Sequence, residues 1–85
     1  MHPLQKKFGA VLRRRREEAG LSQEELAEKA GLHRNYVGLL ERGQRMPTIL
    51  AVQQLAEALG TTLTGFLAEV ESEKSGRGKT GRRRE

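Results

Sequence analysis

The stretch LSQEELAEKAGLHRNYVGLLERG, Leu21–Gly43, sets the architecture of this chain. It opens with a capping box. The Ser22 hydroxyl is placed to accept from the Glu25 amide, and the Glu25 carboxylate to accept from the Ser22 amide. Glutamates in that first turn also suit the helix dipole. Leu26, Ala27 and Ala30 share one inward face, and Gly31 stops the helix at a turn that calls for positive φ. Another short helix follows, from His33 or Arg34 to Arg42, with Gly43 as its stop. Two short helices across a tight glycine turn make a helix-turn-helix. Ala27 is small where the two nearly touch, and Val37 and Leu40 plug the later one into the core.

The flanks supply three more helices. Leu4, Phe8, Val11 and Leu12 recur at i, i+4, i+7 and i+8, one stripe of a helix over about Leu4–Ala19. Arg13–Arg16, Glu17 and Glu18 cover its other faces, and Arg13–Arg15 read as solvated surface. After the loop GQRMP, Thr48 caps a helix whose inward set is Ile49, Val52, Leu55, Ala56 and Leu59. Thr62 caps a last one, with Leu63, Phe66, Leu67 and Val70 on one face. The expected fold is all-α: a five-helix domain over residues 1–71, with the helix-turn-helix at about 22–42. Residues 72–85, SEKSGRGKTGRRRE, contain nothing apolar and read as a flexible basic tail.

Composition agrees with that class and narrows the function. Aromatic residues are only 4% of the 85, and no β-branched run alternates. With no cysteine, disulfides, thiol chemistry and Cys-type zinc sites are excluded. His2 and His33 have no partners at metal spacing, so no metal or cofactor is expected. There is no aspartate, no nucleophile with its base, and no Gly-rich phosphate loop after a strand, so an enzyme is not expected. No effector domain is visible, so no small-molecule ligand is expected. No apolar run approaches the ~20 residues of a membrane span. The amino end lacks a signal-peptide core. The expectation is a cytoplasmic protein with no membrane partner.

The net charge of +5 is unevenly spread. Residues 1–45 carry +4, residues 46–71 carry −3 and residues 72–85 carry +4. A basic front suits a polyanion. On a wheel of about 100° per residue, Val37 and Leu40 point inward, with His33 on their side. Asn35, Gly38, Leu39 and Arg42 point outward, flanked by Arg34 and Tyr36. A DNA-reading helix presents its amino-terminal residues to base edges in the major groove. Gly38, with no side chain, would permit close approach. Arg34 is the candidate for bidentate contact with guanine. Asn35 suits adenine or a phosphate, His33 a cap or a phosphate, and Tyr36 packing or DNA contact.

On LSQEELA, ERGQRMP and LAEALG, the chain resembles the phage repressor/Cro-type (XRE-like) helix-turn-helix domain over roughly residues 8–70. Arg34, Tyr36 and Val37 make it similar to the restriction–modification controller subgroup. The resemblance implies a homodimer on a palindromic operator in double-stranded DNA. It implies phosphate or base contact by Gln23, and reading positions at His33, Arg34 and Asn35. Tyr36 falls where the family supports or touches the DNA backbone. Leu39 stands where a polar base-reading residue is common, and offers apolar contact to a thymine methyl instead. Arg45 and Thr48 match backbone contacts, and Met46 replaces a frequent asparagine. Arg16 and Glu41 match a structural pair tying the first helix to the third. Part of the Leu63, Phe66, Leu67 and Val70 stripe would form the two-fold interface, the rest the core. The expected function is a transcriptional regulator of repressor or controller type. The alternative is an antitoxin-like protein-interaction module with secondary DNA binding.

Overall fold

His2, Ser22, Thr48 and Thr62 each start a helix by accepting a hydrogen bond from an otherwise unpaired first-turn amide. In the computed structural model, which describes residues 2–74, the helices are α1 (Pro3–Glu18), α2 (Gln23–Ala30), α3 (Arg34–Glu41), α4 (Ile49–Ala58) and α5 (Leu63–Ser72). The capping box at Ser22 and Glu25 forms as expected, with bonds of 2.8 and 3.0 Å. A second box lies at the start of α1, where His2 Nδ1 accepts from Leu4 and Gln5 reaches back to the His2 amide. Nothing in the usual capping vocabulary points to histidine there.

The turn between α2 and α3 depends on Gly31, at φ 72° and ψ 33°. That left-handed residue lets the Leu32 amide fold back onto the Ala27 carbonyl at 2.8 Å, closing the end of α2. The chain then re-enters a helix only three residues later.

One core holds all five helices. α1 packs on α3 and α5, α2 on α3 and α4, and α4 on α5. Its members include Phe8, Val11, Leu12, Leu26, Ala27, Val37, Leu40, Leu55 and Phe66. The Phe8 and Phe66 rings tilt against each other with centroids 5.3 Å apart, a favoured aromatic geometry. Leu4 and Ile49 depart from the expected inward sets, at 44% and 67% exposed. Each lies in the first turn of its helix, one turn short of the residue that reaches the core (Phe8 and Val52).

Gly9 sets how closely α1 and α3 approach. A Cβ there would stand 2.5 Å from the carbonyl oxygens of both Leu40 and Glu41. Only a residue without a side chain lets α1 lie against the end of α3.

Arg13 is exposed as expected, but Arg14 and Arg15 are not solvated surface. Arg14 donates to Glu73 at 2.9 Å and to Glu69 at 3.1 Å, and Arg15 to Glu69 at 2.8 Å. Arg13 pairs with Glu17 on its own helix. These contacts also correct the boundary set at residue 72: Ser72 ends α5 and Glu73 is held by Arg14. A carboxylate that reaches a guanidinium is not part of a free tail. The tail reading for residues 75–85 lies outside the described residues.

Candidate nucleic-acid interface

The inner side of α3 is fixed before any outer residue is considered. Val37 and Leu40 are fully buried, and Glu41 closes the helix against α1. Arg16 grips Glu41 with two bonds, Nε to Oε2 at 2.6 Å and Nη2 to Oε1 at 3.1 Å. Its third donor, Nη1, goes to the Leu21 carbonyl at 2.8 Å, at the entrance to α2. The Glu41 hydrogen bonds raise the Arg16 guanidinium above its ordinary pKa, against a smaller lowering by burial. The guanidinium therefore stays charged. With the Glu41 side chain only 3% exposed, the pair is a buried ionic joint in which each of the three guanidinium nitrogens of Arg16 has an acceptor, so removing either partner strands a buried charge.

Gln23 joins this network. Its Nε2 donates to Glu41 Oε1 at 2.9 Å. The carboxylate, already neutralised by Arg16, accepts but cannot donate, so the amide nitrogen must face it. One further Nε2 hydrogen and the carbonyl oxygen remain for other partners. A Cβ on Gly38 would stand 3.5 Å from that oxygen and 3.2 Å from Arg42 Nη1. Gly38 is therefore buried rather than open. The close approach it permits in this structure is that of its own neighbours, Gln23 and Arg42.

Gln23, Arg34, Asn35, Gly38, Leu39 and Arg42 come together around one shallow depression between the start of α2 and the outer side of α3. Arg34, Asn35 and Arg42 are exposed and Leu39 is half-buried. Among the described residues the Arg34 side chain makes a single hydrogen bond, Nη1 to Glu24 Oε1 at 3.4 Å. Arg42 donates to Gln44 at 3.0 Å. Arg45 is exposed in the following loop. Thr48 caps α4 through Oγ1, which accepts from Ala51 at 3.0 Å. Tyr36 is half-buried, and its hydroxyl accepts from the Thr48 amide at 3.4 Å, tying α3 to the start of α4.

His33 does not share the inward side of α3. It is the residue before the first turn, in extended conformation, and is exposed with no side-chain cap bond. Wheel geometry does not apply to a residue outside the helix. It borders a neighbouring depression with Glu28 and Arg34.

The α5 stripe divides. Phe66 and Val70, at 0% and 2% exposed, are enclosed by this chain's own core and cannot offer a face to a second copy. Leu63 packs half-buried against that core. Leu67 points outward, 38% exposed. Sequence reasoning missed Glu24, the partner of Arg34, and Gly9. The first turn of α2 explained Glu24 as a dipole-compensating residue, and nothing signalled its reach to α3. Among the described residues no three His or Glu side chains gather as a metal-ligand set, and no helix is long and apolar enough to cross a membrane.

The chain is similar to helix-turn-helix regulators. The family model described as Helix-turn-helix matches residues 12–66. An HTH-type transcriptional regulator of Sinorhizobium fredii, y4dJ, is 41% identical over 59 residues, which are 69% of this chain and 77% of that one. The restriction-modification controller protein C.AhdI from Aeromonas hydrophila is 45% identical, with a TM-score of 0.71 over 73% of this chain and 94% of that one. The controller protein C.Esp1396I, solved as a tetramer in complex with its natural 35 base-pair operator, is 30% identical. Its TM-score is 0.77 over 84% of this chain and 93% of that one.

Proposed function

This chain belongs to the helix-turn-helix family, and from that premise we propose that it is a sequence-specific, dimeric regulator of transcription that binds a palindromic operator in duplex DNA. It acts by occupancy rather than by catalysis, as a repressor or a controller. The observation that carries the reading is the division of α3. Val37, Leu40 and Glu41 anchor one side, while Arg34 and Asn35 stand exposed and Leu39 half-exposed on the other, with the Arg34 contact to Glu24 the one side-chain bond among them within the described residues. The likeness to a controller protein solved on its operator supports the same reading.

The roles follow from the chemistry each side chain offers. Arg34 donates in pairs to guanine, Asn35 reads adenine or holds a phosphate, and Leu39 meets a thymine methyl. Gln23 gives its free amide hydrogen to a phosphate at the start of α2, where helix amides also favour an anion. His33, Arg42 and Arg45 add contacts to the backbone. Tyr36 holds Thr48 and the loop in register and touches the backbone beside them.

One such helix reads too few base pairs for operator-level specificity, so two copies act together. Their reading helices stand about 34 Å apart, one turn of duplex. The surface for pairing is Leu67 with the rim of Leu63, together with Ile49 and Leu50 on α4, which packs against α5. Burying exposed leucine and isoleucine side chains is the driving term, at roughly 25 cal/mol per Å². Cytoplasmic location follows from a duplex DNA partner.

Selection of bound sites from random duplex DNA, repeated at two salt concentrations, tests the proposal. The expected product is a symmetric sequence with two half-sites. Recovery of sequences without symmetry, or of no preferred sequence, overturns it. Sedimentation of Leu67→Glu should show a monomer where the parent chain is a dimer.

A further inference from the structure

From the contact between Glu24 and Arg34 we infer that Glu24 is a specificity-determining residue: it holds one side of the Arg34 guanidinium so that the fork is kept for a base and withheld from phosphate. The inference rests on the proposed DNA-binding function. It assigns a role to a residue that faces the duplex with the wrong charge for simple affinity.

Three features carry it. Arg34 uses only Nη1 on Glu24, at 3.4 Å. Among the described residues Nε and Nη2 meet no protein acceptor. Those two atoms form one edge of the guanidinium, and guanine O6 and N7 accept from such an edge together. The contact to Glu24 therefore restrains the side chain without consuming the edge that reads. Both partners are also well exposed, 64% and 72%, so the ion pair is weak and yields where geometry demands. Glu24 stands in the first turn of α2, next to Gln23, which is already held by Glu41. Its carboxylate thus fronts the same depression as the reading residues.

The electrostatic consequence differs between right and wrong DNA. On random duplex, binding comes from cations placed on phosphates. Glu24 neutralises Arg34 for that purpose, whereas its direct repulsion of a strand is common to every duplex. On the operator, Arg34 keeps Glu24 on Nη1 and gives its free edge to guanine, so the pair need not break. The carboxylate thus weakens random binding more than operator binding, which is how a repulsive element creates discrimination.

The test uses the full chain and the Glu24→Gln variant, which keeps the shape and an acceptor oxygen but removes the charge. Affinities are measured for the selected operator and a scrambled duplex across a salt series, in the parent and Arg34→Ala backgrounds. Glu24→Gln should bind scrambled duplex about two- to fivefold more tightly, with discrimination falling by a similar factor. The slope of log affinity against log salt on scrambled duplex should steepen by about one, because Arg34 is released to a phosphate. In the Arg34→Ala background the same change should leave discrimination unaltered. Unchanged discrimination and salt slope in Glu24→Gln overturn the inference, as does an equal change without Arg34. A parent chain that shows no preference for any duplex overturns the proposed function and this inference with it.

Discussion

Replacing Gly9 by alanine should destabilise the fold, although alanine is the better helix former. The gain from intrinsic propensity is about 1 kcal/mol. Against it stands the contact between α1 and α3. The new Cβ would lie 2.5 Å from the carbonyl oxygens of Leu40 and Glu41 and 2.9 Å from the Glu41 carbonyl carbon, whereas real Cβ atoms stay beyond 3.0 Å. The helices must separate by at least half an ångström, and the obstacle is backbone, which cannot swing aside. Overpacking of this kind costs about 1–3 kcal/mol and occasionally more. The separation also pulls Glu41 away from Arg16, whose 2.6 Å bond depends on the same approach. We expect a net loss of about 1–2 kcal/mol, which for a domain of this size lowers the melting temperature by roughly 4–16 °C. Thermal melting followed by circular dichroism, with urea unfolding as a second measure, gives both numbers. A Gly9→Ala protein that melts at or above the parent temperature would refute the claim that this glycine exists for close helix approach.

Gly38→Ala makes the opposite case. Its Cβ meets only the ends of Arg42 and Gln23, at 3.2 and 3.5 Å, so melting should rise by the equivalent of about 0.5–1 kcal/mol while operator affinity falls; a gain in both would show that Gly38 has no part in binding. Glu41→Ala leaves the Arg16 guanidinium without its main acceptor in a site where it is only 13% exposed, and should cost about 3 kcal/mol in urea unfolding. The carboxyl of Glu69 is held below its usual range, chiefly by the hydrogen bond from Arg15 with a further one from Arg14, against burial. The unfolded chain therefore binds that proton more readily. The contribution is complete at neutral pH and is lost as pH falls from the ordinary carboxylate range through the folded value. It amounts to about 1 kcal/mol or less, so melting of Glu69→Gln should depend less steeply on acid than that of the parent. Arg34→Ala should lose roughly 1–3 kcal/mol of discrimination at one base pair, whereas Gln23→Ala should weaken all duplexes alike; competition binding separates the two patterns.

Most of the fold could be read from short-range patterns. The caps at Ser22, Thr48 and Thr62 and the turn at Gly31 are local chemistry, and local chemistry is what a sequence displays. The inward residues Val37, Leu40, Val52 and Leu55 follow from period alone. What escaped depends on two segments meeting. Gly9 looks like a weak point in a helix until the end of α3 lies across it. The arginines of α1 look solvated because Glu69 and Glu73 are 54 to 59 residues away along the chain. Phe66 and Val70 share a stripe with Leu67, and periodicity does not say which part of a stripe the core consumes. Around the candidate site, Arg34, Asn35, Leu39 and Arg42 were legible from the period of the third helix, and Gln23 from the resemblance to the repressor family. The burial of Gly38 and the reach of Glu24 were not, because both arise where α2 and α3 face each other.

The ionic joint of Arg16, Glu41 and Gln23 has a consequence for how such a molecule diversifies. It mounts α3 by one end and one side, using none of the residues at 34, 35 and 39. Those three positions can therefore be rewritten with little penalty to folding, and under the proposed function each rewriting addresses a different DNA word. A chain built this way can acquire a new target by drift at its outer surface while its mounting hardware stays the same.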